Sequence, residues 1–422
     1  MSLRTTLMSL LGSIAVSGAQ TASPALANNS FGLDLYHLES AREKGNLLLS
    51  PYSIQAALCM TLNGADGKTK AEMASVLHLG KDPDAGVKAM AEFQATLQKA
   101  ADDSKRLAEQ AKKYQGKFEP LQFHIANRLF GREGYNFIPA FLTRTKTEWQ
   151  APLEEISFAR PDRARQKINS WVEDQTRERI KELIPADGIQ ADTRLVLVNA
   201  LYFKAAWLHE FAPALTANLP FTVNGNSPIN VPTMYQQENF GYAKEKGFTA
   251  VTLPYTGMSL QLLVLLPDAK DGLAALEKQI TAEQLTKLSR LSMAKEVKLW
   301  LPKFKIEPPT IRLAEQLKTL GMRTAFDEPM GSADFSRMAP RTEREYLAIS
   351  QVFHKTFMAL DENGTEAAAA TAVAMAPRGA APQETEKPLE VHIDHPFLFA
   401  IQHRETGLCL FLGRVTDPRS AP

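Results

Sequence analysis

Apolar positions along the chain follow two rhythms. Residues 195–203 (LVLVNALYF) form a continuous apolar run, the pattern of a central strand covered on both faces. Residues 260–266 and 125–130 (IANRLF) predict further buried strands, and residues 297–306 (VKLWLPKFKI) alternate cleanly, as a strand with one buried face does. Residues 395–418 predict two apolar strands joined at Glu405-Thr406-Gly407. Elsewhere the spacing is helical. Ser50-Pro51 is an N-cap followed by a first-turn proline; Ile54, Ala57, Leu58 and Leu62 then share a face, and Gly64 stops the helix. Thr69-x-x-Glu72 reads as a capping box for the next helix. Residues 84–119 predict a helix with a charged extension. Residues 162–184 predict an amphipathic helix with Ile168, Trp171, Val172, Ile180 and Leu183 on one side.

Residues 361–378 (DENGTEAAAATAVAMAPR) stand apart. A surface loop is normally rich in turn formers, and this stretch holds one glycine. Counted in steps of two, Thr365, Ala367, Ala369, Thr371, Val373 and Met375 carry the larger apolar and branched side chains. The other set, Glu366, Ala368, Ala370, Ala372, Ala374 and Ala376, carries the only charge. That is a strand with one face fit for burial. Pro377 and the polar residues that follow belong outside a sheet, so the stretch reads as a segment able to be exposed or to become a strand. On residues alone, a helix, which alanine favours, or a linker between domains remains open.

Composition narrows the class. Of 422 residues 44% are hydrophobic and 23% charged, as in a soluble globular protein, and a formal charge of +1 gives no reason to expect nucleic acid. Arg4, the apolar residues 7–16 and Ala25-Leu26-Ala27 read as a signal peptide, 1–27, with cleavage after Ala27; the alternative is a first helix of the fold. The mature chain, 28–422, is expected to be one domain, secreted or periplasmic, without a membrane span. Cys59 and Cys409 are too few for a disulfide scaffold, and each sits in an apolar run as a small buried hydrophobe would. Two sequons, at Asn28 and Asn363, are present; a glycan on the second could not enter a sheet, so either the host does not glycosylate it or the stretch does not become a strand. There is no G-x-S-x-G elbow, H-E-x-x-H or phosphate-binding glycine loop, and His392-x-x-His395 lacks the cysteine or carboxylate neighbours of a metal site. No enzyme, cofactor or metal is expected.

Four blocks resemble the serpin family: residues 46–73, 195–207 (LVLVNALYFKAAW), 320–335 and 395–418. Residues 362–371 (ENGTEAAAAT) look like the hinge of an inhibitory serpin's reactive-centre loop. The resemblance spans roughly residues 31–418. It implies an α+β serpin fold of three β-sheets and eight or nine helices, with an exposed reactive-centre loop at about 361–394 that inserts into the main sheet. It places Ser50, Ser53, Asn199 and His354 in the shutter under the middle of that sheet. Trp207, Lys303 and Glu362 fall in the breach where the loop enters. Gly364, Thr365, Glu366, Ala367, Ala368, Ala369, Ala370 and Thr371 follow Glu362 in the hinge. Residues 297–306 resemble the sixth strand of the main sheet. Counting the family's usual distance from Gly364 puts the scissile bond at Arg378-Gly379. Arg378 would enter the acidic pocket of a trypsin-like protease and Pro377 would suit thrombin-like pockets. Residues 379–395 are longer than usual, so cleavage near Ala374, Met375 or Ala376 by elastase-like or cysteine proteases is the alternative, as is a noninhibitory serpin acting as a binding protein. The protein is expected to be a monomer whose partner is a protease. Some relatives bind heparin-like polyanions near residues 99–117. Here Lys99, Lys105, Arg106, Lys112, Lys113 and Lys117 alternate with Asp102, Asp103, Glu109 and Glu119, which is the pattern of a solvated face, and polyanion binding would be weak.

Overall fold

The computed structural model describes residues 23–113, 119–223, 227–366 and 387–419. Among them the chain runs α1 (Pro24–Arg42), β1 (Leu47–Leu49), α2 (Pro51–Leu62), α3 (Gly67–Val76), α4 (Pro83–Lys113), β2 (Gln122–Arg132), α5 (Pro139–Trp149), β3 (Glu154–Ile156), α6 (Pro161–Gln175) and β4 (Leu195–Ala206). It continues through β5 (Ala217–Val223), β6 (Ser227–Glu245), β7 (Phe248–Pro254), β8 (Leu260–Pro267), α7 (Leu273–Gln279), α8 (Ala282–Leu288), β9 (Lys295–Pro302), β10 (Phe304–Ile306), β11 (Ile311–Arg312) and α9 (Ala314–Leu320). It closes with β12 (Ile349–Thr356), β13 (Met358–Asp361), β14 (Gly364–Thr365), β15 (Leu389–His392), β16 (Phe397–His403) and β17 (Cys409–Val415).

Among the described residues the strands form two hydrogen-bonded networks. The main sheet is ordered β10-β13-β14-β4-β12-β11, with β2 on the other side of β4 and β3 beyond it; the second runs β1-β17-β16-β8-β7-β6-β9-β15, with β5 beside β6. The long β6 joins two parts of the second network. Its end, Gly241 to Glu245, pairs with β7, while its earlier residues pair with β5 and β9.

α2 lies between the two networks, against β2, β4 and β17, and all of its residues are buried. Its one apolar face in the sequence is therefore surrounded on every side. β4 is covered on both faces as its apolar run predicts. Leu195, Leu197 and Leu201 join the central core, while Val196, Val198 and Ala200 pack with Ile168 and Val172 of α6.

Three local expectations are corrected. The helix predicted over 162–184 ends at Gln175, because Arg177 and Glu178 take left-handed backbone (φ 52° and 60°). The apolar period still continues to Leu183, because the chain folds back on the same face. The Asn169 carboxamide accepts from Ile184 N–H at 2.8 Å and donates to its carbonyl at 3.0 Å. The capping box at Thr69 does not form. Asp66 caps α3, while Glu72 accepts from the N–H groups of Arg323 and Thr324. Residues 297–306 are not one strand of the main sheet. β9 pairs with β6 and β15 in the second network, and only β10 reaches the main sheet. Alternation fixed the buried face but carries no information about which sheet receives it, and Pro302 has no N–H to continue the ladder.

Candidate functional site: a parted sheet and its hinge

The lower half of the main sheet is closed. β12 pairs directly with β4 in parallel from Ile349↔Leu195 to Thr356↔Leu201. Above Thr356 the two strands part, and the start of the alanine-rich stretch occupies the fork. β13 and β14 make a tight antiparallel turn, Leu360↔Thr365 and Asp361↔Gly364, and β14 pairs with the end of β4, Gly364↔Ala206 and Thr365↔Ala205. The stretch is thus not wholly exposed, since its first residues are already strand.

Each hinge residue has a specific reason to sit there. A Cβ on Gly364 would lie 2.0 Å from the Ala205 carbonyl oxygen, so only glycine lets the hinge pass β4. Thr365 is 1% exposed, and its hydroxyl shares a 2.6 Å hydrogen bond with Tyr255. The Tyr255 ring in turn stacks on Trp207 at 4.7 Å. Trp207 holds the turn from below, its Nε1 donating to the Asp361 carbonyl at 3.0 Å and its backbone N–H to that of Asn363 at 2.9 Å. Glu362 is buried. Its carboxylate accepts from Lys303 Nζ at 2.8 Å and from the Thr216 hydroxyl at 2.8 Å. Burial pushes this carboxyl upward, but Lys303 and the hydrogen bonds outweigh it and hold it below the usual range. Glu366 differs: it takes φ 53° and pairs with Arg179, yet burial prevails over that cation and raises its carboxyl.

Glu362→Lys sets a second ammonium against Lys303 and leaves the Thr216 hydroxyl without its acceptor. Losing hydrogen bonds to a charged group costs about 1.5–3 kcal/mol. The expected outcome is a loosened turn and, on mild warming, polymers formed by loop–sheet pairing, seen as a ladder on native gels. A variant that stays monomeric would count against this pairing.

Beneath the closed half lies a polar network in an otherwise apolar core. His354 on β12 is fully buried; its Nδ1 bonds to the Asn199 side-chain oxygen at 2.5 Å, and its Nε2 accepts from Ser50 N–H at 3.2 Å. The Asn199 amide donates to Ser53 Oγ and to Asn127 Oδ1, and Ser50 Oγ donates to the Leu410 carbonyl of β17. The network therefore ties β12, β4, β2, α2 and the second sheet together at the place where β12 meets β4. Because Nε2 accepts from an N–H, the imidazole is neutral, and burial pushes its pKa from 6.5 down to about 3. An unfolded chain takes up this proton near pH 6.5 and the folded one refuses it. The His354 contribution is therefore complete above pH 6.5 and is lost as pH falls towards 3, by about 1.4 kcal/mol per unit. Urea midpoints at pH 7, 6 and 5 should fall more steeply for the native protein than for His354→Asn; equal slopes would refute the assignment.

The structure brings together Ser50, Ser53, Asn199 and His354 in one place, and Trp207, Lys303, Glu362, Gly364 and Thr365 in another. Ala367, Ala368, Ala369, Ala370, Thr371, Met375, Ala376, Pro377, Arg378 and Gly379 lie outside the described residues. Cys59 and Cys409 are free and buried, burial pushing the Cys409 thiol up to about 12. His392 stacks on Trp300 at 3.9 Å, and His395 bonds Asp394 and the Pro267 carbonyl. On α4, Lys99, Lys112 and Lys113 are exposed, and Lys105 and Arg106 pair with Asp102 and Asp103. No helix among the described residues is long and apolar enough to cross a membrane. Sequence reasoning missed Asn127, Thr216, Tyr255 and Arg179. Asn127 was within reach, being an amide inside an apolar strand, the same signal that marked Asn199. Nothing near Tyr255 or Thr216 in the chain signals the hinge.

The main sheet is thus parted at one end around the start of the alanine-rich stretch, above a hydrogen-bonded clasp. The chain belongs to the serpin family, matching Serpin (serine protease inhibitor) over residues 26–418. It is 37% identical to a leukocyte elastase inhibitor of Bos taurus over 402 residues, covering 93% of this chain and 98% of that one. It is 38% identical to Serpin B3 of Homo sapiens over 401 residues, with the same coverage. The structure of Serpin48 from Tenebrio molitor superposes with a TM-score of 0.78 at 30% identity, covering 95% of this chain and 100% of that one.

Proposed function

We propose that this serpin is a suicide-substrate inhibitor of trypsin-like serine proteases, cleaved at Arg378-Gly379. The observation that carries the reading is the seated hinge. Gly364 and Thr365 already begin a strand between β13 and β4, and beyond Glu366 residues 367–371 are alanine and threonine rather than proline or bulky groups. The protease nucleophile attacks the Arg378 carbonyl, the Gly379 amine leaves, and an acyl-enzyme remains. The freed loop then extends β14 downward, separating β12 from β4. Insertion of this kind is the family's known form of strand addition. At about 0.5–1.5 kcal/mol per new ladder hydrogen bond, a full strand gains enough to carry the tethered protease away before water deacylates it.

Two features support a second specificity. Relatives carry the name leukocyte elastase inhibitor, and Ala374, Met375 and Ala376 offer the small or unbranched side chains an elastase-like pocket accepts. Mixing the protein with trypsin or with elastase, denaturing in detergent and weighing the released C-terminal peptide separates the cases. The expected result is a detergent-stable complex with trypsin and a peptide beginning at Gly379. A complex with elastase and a peptide beginning at Met375, Ala376 or Pro377 would replace the specificity and keep the mechanism. Clean cleavage without a complex would mean a noninhibitory serpin.

The same reading makes residues 1–27 an export signal and the mature protein a secreted or periplasmic monomer. Cleavage after Ala27 removes the Ser23 cap and the first turn of α1, at about 1 kcal/mol. It leaves the anchors behind it, Asn28 Nδ2 on the Cys409 carbonyl and Asn29 Nδ2 on that of Gly407. Any polyanion contact along 99–117 is weak.

A further inference from the structure

The register of the seated hinge fixes where the far end of an inserted loop arrives. β14 is antiparallel to both of its neighbours, so each further residue moves one place down β4 and one place down β13 and β12. Counted from Thr365↔Ala205, Met375 falls opposite Leu195, the first residue of β4. Counted from Thr365↔Leu360, with the extra residue that β12 carries at Ser350, Met375 falls opposite Ile349, the first residue of β12. Both sides therefore place Met375 last in the sheet, in keeping with the present pairing of Ile349 with Leu195. Ala376, Pro377 and Arg378 lie past its lower end, and Arg378 comes beside Tyr346.

The surface at that end is braced. The Tyr346 ring is buried between the guanidinium groups of Arg194, at 4.8 Å, and Arg341, at 5.5 Å, and its hydroxyl donates to Asp327 at 2.9 Å. Asp327 also accepts from the N–H groups of Gly331 and Ala333, and Arg341 donates to the Gly331 carbonyl at 2.6 Å. Glu328 pairs with Lys318 and with Arg323, each at 3.2 Å. These bonds close residues 327–333 into a fixed loop with Met330 in its middle. Met330 is 89% exposed, whereas Leu215, the next most exposed large hydrophobic residue described, is 52% exposed. A lone exposed hydrophobic residue is ordinary on a protein surface. This one is held away from the core by a braced loop, next to the place where Arg378 arrives. On the inhibitory reading above, a protease joined to Arg378 through its serine comes to rest against this loop. Deacylation requires water to add to the Arg378 carbonyl, giving the Arg378 carboxylate and a free serine hydroxyl, and the protease must regain its catalytic geometry to do so. Apolar surface uncovered on the strained protease is stabilised by an apolar group that covers it, and methionine, unbranched and polarizable, suits an irregular surface.

We propose that residues 327–333 are the landing surface of the trapped protease and that Met330 is its anchor, setting how long the acyl-enzyme survives. Trypsin complexes of the unaltered full chain and of Met330→Ala, Met330→Glu and Met330→Leu are isolated, and the return of trypsin activity is followed over days. Hydrogen exchange of the loop amides is the second readout. The acyl bond forms before the protease reaches Met330, so every variant should still yield complex. Release of active trypsin should be ~10-fold faster for Met330→Glu and ~3-fold faster for Met330→Ala, as for the loss of one apolar interface contact, while Met330→Leu should restore nearly the native rate. Amides of Met330, Gly331 and Ser332 should exchange more slowly in the complex than in the cleaved, protease-free protein. Equal release from all four complexes, or loop exchange unchanged by the protease, overturns the landing surface and leaves the inhibitory reading intact. A complex formed only by a cut before Pro377 would end the tether at the sheet itself and overturns the placement. Absence of any complex with the unaltered chain overturns the inhibitory reading and the landing surface together.

Discussion

Thr365→Arg is expected to turn the inhibitor into a substrate. The Thr365 side chain is almost fully buried and bonded to Tyr255, which is itself fully buried. A guanidinium at this point would be desolvated beside a tyrosine that burial keeps protonated. An uncompensated buried charge costs several kcal/mol, more than the few hydrogen bonds of β14 return at about 0.5–1.5 kcal/mol each. The hinge therefore leaves the fork, and after cleavage the loop cannot add its first residue pair. Insertion stalls while deacylation proceeds. Gels should show the trapped complex falling to below ~10% of the native yield and cleaved monomer accumulating, with the thermal transition still cooperative. If Thr365→Arg traps protease as well as the native protein does, insertion through this fork is wrong.

Arg378→Ala should lower the rate of trypsin inhibition by ~10⁴-fold, because a pocket built to bond a charged group is left with its own buried carboxylate unpaired. The measurement is the second-order rate constant with trypsin beside that with elastase. The elastase rate should hold or rise, since the substitution removes a charge that such a pocket rejects. Retained potency against trypsin would move the scissile bond away from Arg378. The two variants separate the two halves of the mechanism. Arg378→Ala is expected to change which protease is recognised, and Thr365→Arg what happens after any protease has cut.

The features legible in the chain are those set by near neighbours. The Ser50 cap and Pro51 start α2 because both act within one turn. The unbroken apolar run of β4 could only be a strand covered twice, and Gly407 with φ 76° turns the final hairpin. The hinge residues, the four clasp residues and the Lys303–Glu362 pair were placed by resemblance in blocks whose local patterns are strong. What the tertiary structure alone decided has a common cause: it depends on which distant segments meet. The alternation of residues 297–306 was real, yet the strand divides between two sheets. Helical periodicity persisted to Leu183 after the helix had ended, since a segment doubling back on the same face keeps the same apolar spacing. Tyr255, Thr216 and Arg179 come to the hinge from far along the chain, and no local pattern marks them. By itself the sequence determined α2, the doubly covered β4 and the final hairpin, together with the buried faces of those elements. Only the fold determined that the main sheet closes up to Thr356 and Leu201 and parts above them. That fork exists because the β13–β14 turn, held by Trp207 and Lys303, places Gly364 and Thr365 against β4 where β12 would otherwise pair.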